Sequence, residues 1–390
     1  ICFTLILLAL FSCGSSETPT ETIGKSSSVA PSLADENNQG KPRDNVFRMN
    51  FSDPPTFDPA LVTDTTSASI IVEIFSGLVT LNKNLEIVPD LAESWDVSED
   101  GKVYTFNLRD GIKFSNGDSV TAQDFKWSIE RAANPETGSL NAEVYLGDIV
   151  GVKEVIESGG AITDVIGVKD IDKKTLEITI DQPKTYFLAK LTYPTAFVLS
   201  KKYIEKNGES WIDKPVGTGP FVLSEYQIGQ TLKIKRNDLY WDEKAKVDGI
   251  IMNLAGGVSM AMYENDEIDI TGVGLADLER VKNPNDPLNK DLVNVPPQFS
   301  ISYIGFNVNM PPFDDENFRK ALTYAVDKEI IADKIYSGLT EPAYTIIPPG
   351  FPGYSPTVTG LKHDPELAKE FLAKSKYSDP STRPRIIITI

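Results

Sequence analysis

The chain has 390 residues, 41% of them hydrophobic, and its 56 Asp and Glu outweigh 38 Lys and Arg to leave a net charge of -18. That length suits two or more domains with real cores, while the acid excess argues against nucleic acid and against electrostatic docking on anionic lipid, since both need clustered Lys and Arg. One histidine, His363, and two cysteines, Cys2 and Cys13, leave little for zinc sites or for Cys/His and Ser/His catalysis, so no cofactor, metal site or catalytic residue is expected.

Residues 1–11 form an apolar run broken only by Thr4. It is shorter than the roughly 20 residues of a membrane-spanning helix and suits the apolar region of a signal peptide. Leu10-Phe11-Ser12-Cys13 resembles a bacterial lipobox, in which the chain is cut before a Cys that is then lipidated. The resemblance implies a signal peptide at 1–12, lipidation at Cys13 and a lipid-anchored flexible tether at 13–43. The tether is rich in Ser, Thr, Pro, Asn and Gly and too poor in apolar side chains to offset its ordering entropy. Ile1 stands where a Met and a basic start are expected, so the sequence reads as a fragment with its start missing.

The folded body is predicted to begin with a strand at 46–51, followed by a loop at 52–59 that its three prolines impose. A helix at 67–75 would turn Ile70, Ile71, Ile74 and Phe75 to one side and end at Gly77. Tyr104, Phe106 and Leu108 alternate as in a half-buried strand, and Asn116-Gly117 marks a turn. Thr121 and Asp124 resemble a capping box opening a helix with Phe125, Ile129 and Ala132 inward, stopped by Asn134-Pro135. Leu176, Ile178 and Ile180 alternate again, as do Leu232 and Ile234. A helix at 316–326 would face Phe318, Leu322 and Ala325 inward; a second, capped by Asp327, would run to Tyr336 and close at Gly338. Residues 385–390 read as a strand with no partner after it. Helices and strands interleave throughout, which favours an α/β body.

Several blocks carry a resemblance. They are Pro89-Asp90-Leu91-Ala92-Glu93-Ser94-Trp95, then 98–109, 111–114 and Thr121-Ala122-Gln123-Asp124-Phe125. Gly217-Thr218-Gly219-Pro220-Phe221, Asn237-Asp238-Leu239-Tyr240-Trp241 and Glu267-Ile268-Asp269-Ile270 follow. Phe306-Asn307-Val308-Asn309, Pro311-Pro312-Phe313-Asp314 and Phe318-Arg319-Lys320-Ala321-Leu322 complete the series. In this order they resemble the family 5 solute-binding proteins of bacterial ABC importers, the oligopeptide, dipeptide and nickel group. Most read as structural: Ser94-Trp95 and Phe114 as core or turn packing, Gly217 and Gly219 as tight turns. Tyr145-Leu146, Ile149-Val150-Gly151 and 167–172 are similar to the oligopeptide-binding branch.

The resemblance implies a periplasmic-binding-protein type II-like, two-lobe α/β fold with an extra inserted domain and a truncated C-terminal lobe. Lobe I would hold 44–65 and 198–299, the inserted domain 66–197, and an incomplete lobe II would start at 300 and run to 390. The implied protein is a non-enzymatic, lipid-anchored monomer on the outer face of the cytoplasmic membrane or in the periplasm. It would hand oligopeptides to ABC transporter permease subunits, with no nucleic-acid partner and no membrane contact beyond the anchor. Dipeptides, oligosaccharides or a metal chelate are alternative ligands; an extracellular hydrolase or a surface receptor are alternative roles. Ligand-lining positions implied by the resemblance are Asp53, Tyr145, Thr271, Gly272, Gln298, Phe299 and Ser300, with Gln298 standing where the branch often has an aromatic. The Asp that anchors the peptide amino group in the branch would fall beyond Ile390.

Overall fold

In the computed structural model, residues 44–295, 300–351 and 353–386 are described. The expectations for Cys13, the leader, the tether, Gln298, Phe299 and most of the final strand fall outside them. In chain order the strands are β1 (Val46–Asn50), β2 (Val79–Leu81), β3 (Ile87–Pro89), β4 (Ala92–Val97) and β5 (Val103–Leu108). β6 (Val168–Asp170), β7 (Thr175–Thr179), β8 (Phe221–Gln227), β9 (Thr231–Arg236) and β10 (Gly249–Asn253) follow. They form a first sheet ordered β1-β10-β9-β8, a second ordered β4-β5-β7-β6, and the ribbon β2-β3. The body is mixed α/β, as the interleaved pattern required.

The first sheet mixes directions. β1 runs parallel to β10, Asn50 opposite Asn253, whereas β10, β9 and β8 are antiparallel neighbours. Helix α1 (Thr65–Ile74) packs beside this sheet; it starts earlier than the periodicity implied because Asp64 caps it, accepting the Ser67 N–H at 2.7 Å. Ile70, Ile71, Ile74 and Phe75 are buried with Leu232, Ile234 and Met252 in one core. Each such side chain contributes about 1.5–3 kcal/mol.

The second sheet has its own core. Tyr104, Phe106 and Leu108 point inward from β5, and Leu176 and Ile178 from β7, as the alternation implied. Helix α2 (Ala122–Ala133) lays Phe125, Ile129 and Ala132 on that core. Its start is held by Asp124, whose Oδ2 accepts the Thr121 N–H at 2.9 Å and the Thr121 hydroxyl at 2.7 Å. Asp thus serves in the place of the usual Glu.

Gly217 and Gly219 do not sit in left-handed turns. A Cβ on Gly217 would meet the Ile74 carbonyl, and one on Gly219 would lie 2.5 Å from the Glu73 carbonyl. These glycines let the strand entry pass against the end of α1. Ser94 is exposed, accepting from Asn107 at 3.2 Å, while Trp95 and Phe114 join the core.

Towards the C-terminal end, the helix Glu316–Ala325 packs against the helix Pro365–Lys374. Its buried residues are Phe318 and Ala321. Leu322 is half-buried and Ala325 is exposed, so the inward stripe is one residue out of phase with the expectation there. Asp327 caps the following helix through the Ile330 N–H at 3.0 Å, and Gly338 adopts φ 73° as expected for a helix stop. Between them the helix widens to a π turn at Ile331–Ile335, which periodicity does not signal.

Candidate ligand-binding site

Parallel strands place their carboxyl ends together, and ligands of open α/β sheets gather outside such ends. Here β1 and β10 end side by side at Asn50 and Asn253. A third extended segment joins them: Ile270 bridges Met49 in parallel, and the Asp269 N–H donates to the Arg48 carbonyl at 2.8 Å. The Asp269 carboxylate also accepts the Arg48 N–H at 2.7 Å, substituting for a ladder bond. Thr271 and Gly272 therefore continue beside the end of β1, at the open edge of the sheet.

Asp53 lies in the loop that leaves the same end. Its carboxylate accepts the Gly229 N–H at 3.0 and 3.1 Å and the Tyr226 hydroxyl at 3.2 Å. It clasps the β8–β9 turn, and Tyr226 stands edge-on to Phe57 at 5.0 Å. Burial, then the Asp53 charge, raises the Tyr226 hydroxyl above its ordinary pKa.

Tyr145 comes from the second sheet's side, on helix α3 (Ala142–Leu146). Its ring lies flat on Tyr193, centroids 3.6 Å apart and planes 4° from parallel. Burial, then Tyr193, raises its hydroxyl pKa. Asn141 ties this stack to the loop after β1, donating to the Val62 carbonyl at 2.7 Å and to the Tyr193 hydroxyl oxygen at 3.1 Å. Ser300 is exposed and outside any regular element. The fold thus gathers Asp53, Thr271 and Gly272 at one sheet end and links Tyr145 to the same loop.

Sequence reasoning passed over two groups here. One is polar: Asn50 donates to Ser259 Oγ at 2.8 Å and accepts from Asn253 at 2.8 Å, and Asn253 also donates to the Gly256 carbonyl at 2.8 Å. An Asn at each strand end was the available signal. The other is apolar: Leu140 is 81% exposed and Val144 58%, beside Tyr145. An open depression of about 400 Å³ lies along the loop, lined by Pro54, Pro55, Phe57, Leu61, Trp211 and Ile212. Among the described residues no three His, Cys, Asp or Glu side chains are grouped to hold a metal, and no helix is long and apolar enough to cross a membrane.

Each of the two sheets packs its own core, and the polar parallel-strand end belongs to the first. A family model described as bacterial extracellular solute-binding proteins, family 5 Middle, matches residues 86–390. The chain is 34% identical to the probable deoxycholate-binding periplasmic protein YgiS of Escherichia coli, over 85% of this chain and 62% of the relative. It is 31% identical to the oligopeptide-binding protein OppA of Bacillus subtilis, over 95% of this chain and 66% of the relative. Among solved structures it is similar to the periplasmic oligopeptide-binding protein OppAIV of Borrelia burgdorferi. That match has a TM-score of 0.74 and 30% identity, covering 85% of this chain and 67% of the other. The chain belongs to the family 5 bacterial extracellular solute-binding proteins, and its α/β fold is their two-lobe fold. It spans less than two thirds of the length of these two curated relatives.

Proposed function

We propose that the whole protein is the peptide-capturing component of an ABC importer, held outside the cytoplasmic membrane by lipid on Cys13. The carrying observation is the shared end of β1, β10 and the segment through Ile270, an edge to which an extended ligand backbone can add as a further strand. Thr271 and Gly272 would offer main-chain groups there, and Gln298, Phe299 and Ser300 would follow at the crossing between lobes. Asp53 would act by holding its loop in place. Tyr145, with Leu140 and Val144, would meet ligand side chains from the inserted domain. In this scheme 44–65 and 198–299 form lobe I, 66–197 the inserted domain, and lobe II begins at 300. The two separate sheets support that division, although α1 packs in the core of the first. Homologues named for oligopeptide binding and for an oligopeptide ABC transporter support the ligand class and the partner.

The test is a ligand panel on the intact protein: peptides of two to six residues, oligosaccharides, a nickel chelate and, because of the YgiS relative, a bile salt. Peptide binding should raise stability by about 2.7 kcal/mol at a hundredfold excess over Kd. Affinity should follow peptide length and free termini more than side chains. Saturable binding of a sugar or bile salt with no response to any peptide would defeat the peptide assignment.

A further inference from the structure

The loop after β1 and the short segment Gly208–Asp213 enclose the open depression of about 400 Å³. Phe57 and Trp211, only 6% and 5% exposed, form its floor and are fixed in the first sheet's core. Pro54, Pro55, Leu61 and Ile212 wall it. The loop side is braced locally. The Thr56 N–H donates to Ser67 Oγ at 3.1 Å, the Asp58 N–H to Thr56 Oγ1 at 2.9 Å, and the Ala60 N–H to Asp58 Oδ1 at 2.9 Å. Pro54 and Pro55 add their own fixed φ. The depression is therefore preformed, and filling it orders little that is not already ordered.

Its charge is one-sided. Asp58 and Glu209 line it, and among the described residues no Lys, Arg or His does. The two acids differ in their partners. Both Asp58 oxygens bond to Arg131, at 3.0 and 2.5 Å, so that carboxylate is neutralised where it is buried. Arg131 is held in turn, its guanidinium 5.5 Å from the centre of the Trp211 ring. Glu209 is exposed in the first turn of its segment, and its carboxylate has no hydrogen bond or ion pair among the described residues. One free negative charge thus borders an apolar bowl, on a chain of net charge -18.

We propose that this depression binds a small organic monocation, a primary amine carried on a compact apolar body. The body covers Phe57, Trp211 and the two prolines, and the ammonium meets Glu209. Burial of the body supplies the affinity, and the Glu209 charge supplies the selectivity. A carboxylate on the same body would be repelled by Glu209, and a neutral body gains nothing from it. The site shares no residue with the sheet end at Thr271 and Gly272, so it stands whether or not peptides bind there.

The experiment titrates the intact protein with 1-adamantanamine, 1-adamantanol and 1-adamantanecarboxylate, which share one apolar body and differ in charge. Calorimetry gives the affinities, and the NMR shift of the Trp211 indole N–H reports the place. The amine should bind saturably, about two- to fivefold more tightly than the alcohol at low salt, as an exposed charge pair allows. The carboxylate should bind most weakly, and added salt should shrink the differences. Glu209→Gln should bring the amine to the alcohol's affinity with unchanged thermal stability. Leu61→Ser should weaken all three probes, and Thr271→Ala should change none of them. No saturable binding of the amine, a carboxylate that binds as tightly, or an amine preference that survives Glu209→Gln would overturn the site. So would affinities indifferent to Leu61→Ser or lost in Thr271→Ala.

Discussion

Asp58 and Arg131 meet through two parallel contacts, Oδ1 to Nη1 at 3.0 Å and Oδ2 to Nη2 at 2.5 Å. The pair ties the loop after β1 to α2, and so the first sheet's side to the second's. Its carboxylate side chain is 4% exposed. Breaking a buried pair strands a charge and costs about 3–5 kcal/mol. Asp58→Ala should fall in that range in urea unfolding, and Asp58→Ala with Arg131→Met should cost less than the sum of the singles. Additive costs would mean that the contact is energetically idle.

Gly217→Ala and Gly219→Ala should each destabilise by about 1–3 kcal/mol or more, since the new methyl overlaps carbonyls at the end of α1. Gly272→Ala has open space and ordinary backbone and should leave stability unchanged. If Gly272 lies on the ligand edge, the same substitution should weaken ligand affinity measured by calorimetry. An unchanged affinity would remove Gly272 from the site.

Asp53→Ala and Tyr226→Phe each remove one side of the same hydrogen bond. Each should cost about 1–2 kcal/mol. The combined variant should cost little more than Asp53→Ala alone, because Asp53→Ala already deletes the bond to Tyr226. A large ligand-affinity loss in Asp53→Ala, with stability and Tyr226→Phe affinity unchanged, would instead make Asp53 a direct ligand contact.

Two buried carboxyls oppose one another in pH dependence. Asp90 is raised to about 6 from 3.8, so it binds its proton more tightly in the folded state; stability gained from it appears as pH falls through 6 and amounts to about 3 kcal/mol. Asp148 is the reverse. Burial pushes it up, but Lys184 and Lys190, each at 2.6 Å, outweigh burial and lower it, so its contribution is lost as pH falls below the ordinary carboxylate value of 3.8. Denaturation scans should therefore place a local stability maximum between about pH 4 and 6. Asp90→Asn should flatten the alkaline side, and Asp148→Asn the acid side.

Cys13→Ala should abolish incorporation of labelled fatty acid and block normal signal-peptide processing. Each lipid CH₂ buried in a bilayer is worth about 0.8 kcal/mol, so a multiply acylated Cys would hold firmly. Unchanged labelling in the variant would rule out the anchor.

The alternation of Tyr104, Phe106 and Leu108, the Thr121–Asp124 cap and the stripe of α2 were legible in the sequence, because each depends on neighbours within a few residues. The family was legible for the same reason: its blocks are local strings whose order survives in one dimension. Packing partners were not. Nothing near Gly217 shows that it passes the end of α1, because that helix lies far away in the chain. The phase of the helix Glu316–Ala325 followed its packing on Pro365–Lys374, which turned Ala321 inward and left Ala325 exposed. Asp53 could be placed after a strand, but its ties to Gly229 and Tyr226 arise only when β8 and β9 fold beside that loop. The parallel register that sets Asn50, Asn253 and Thr271 at one end is likewise a long-range choice. Sequence by itself thus determined the local elements and the family, through short-range propensity and burial. The tertiary structure alone decided which distant side chains share a site, because hydrogen bonds and ion pairs require proximity that chain order does not encode.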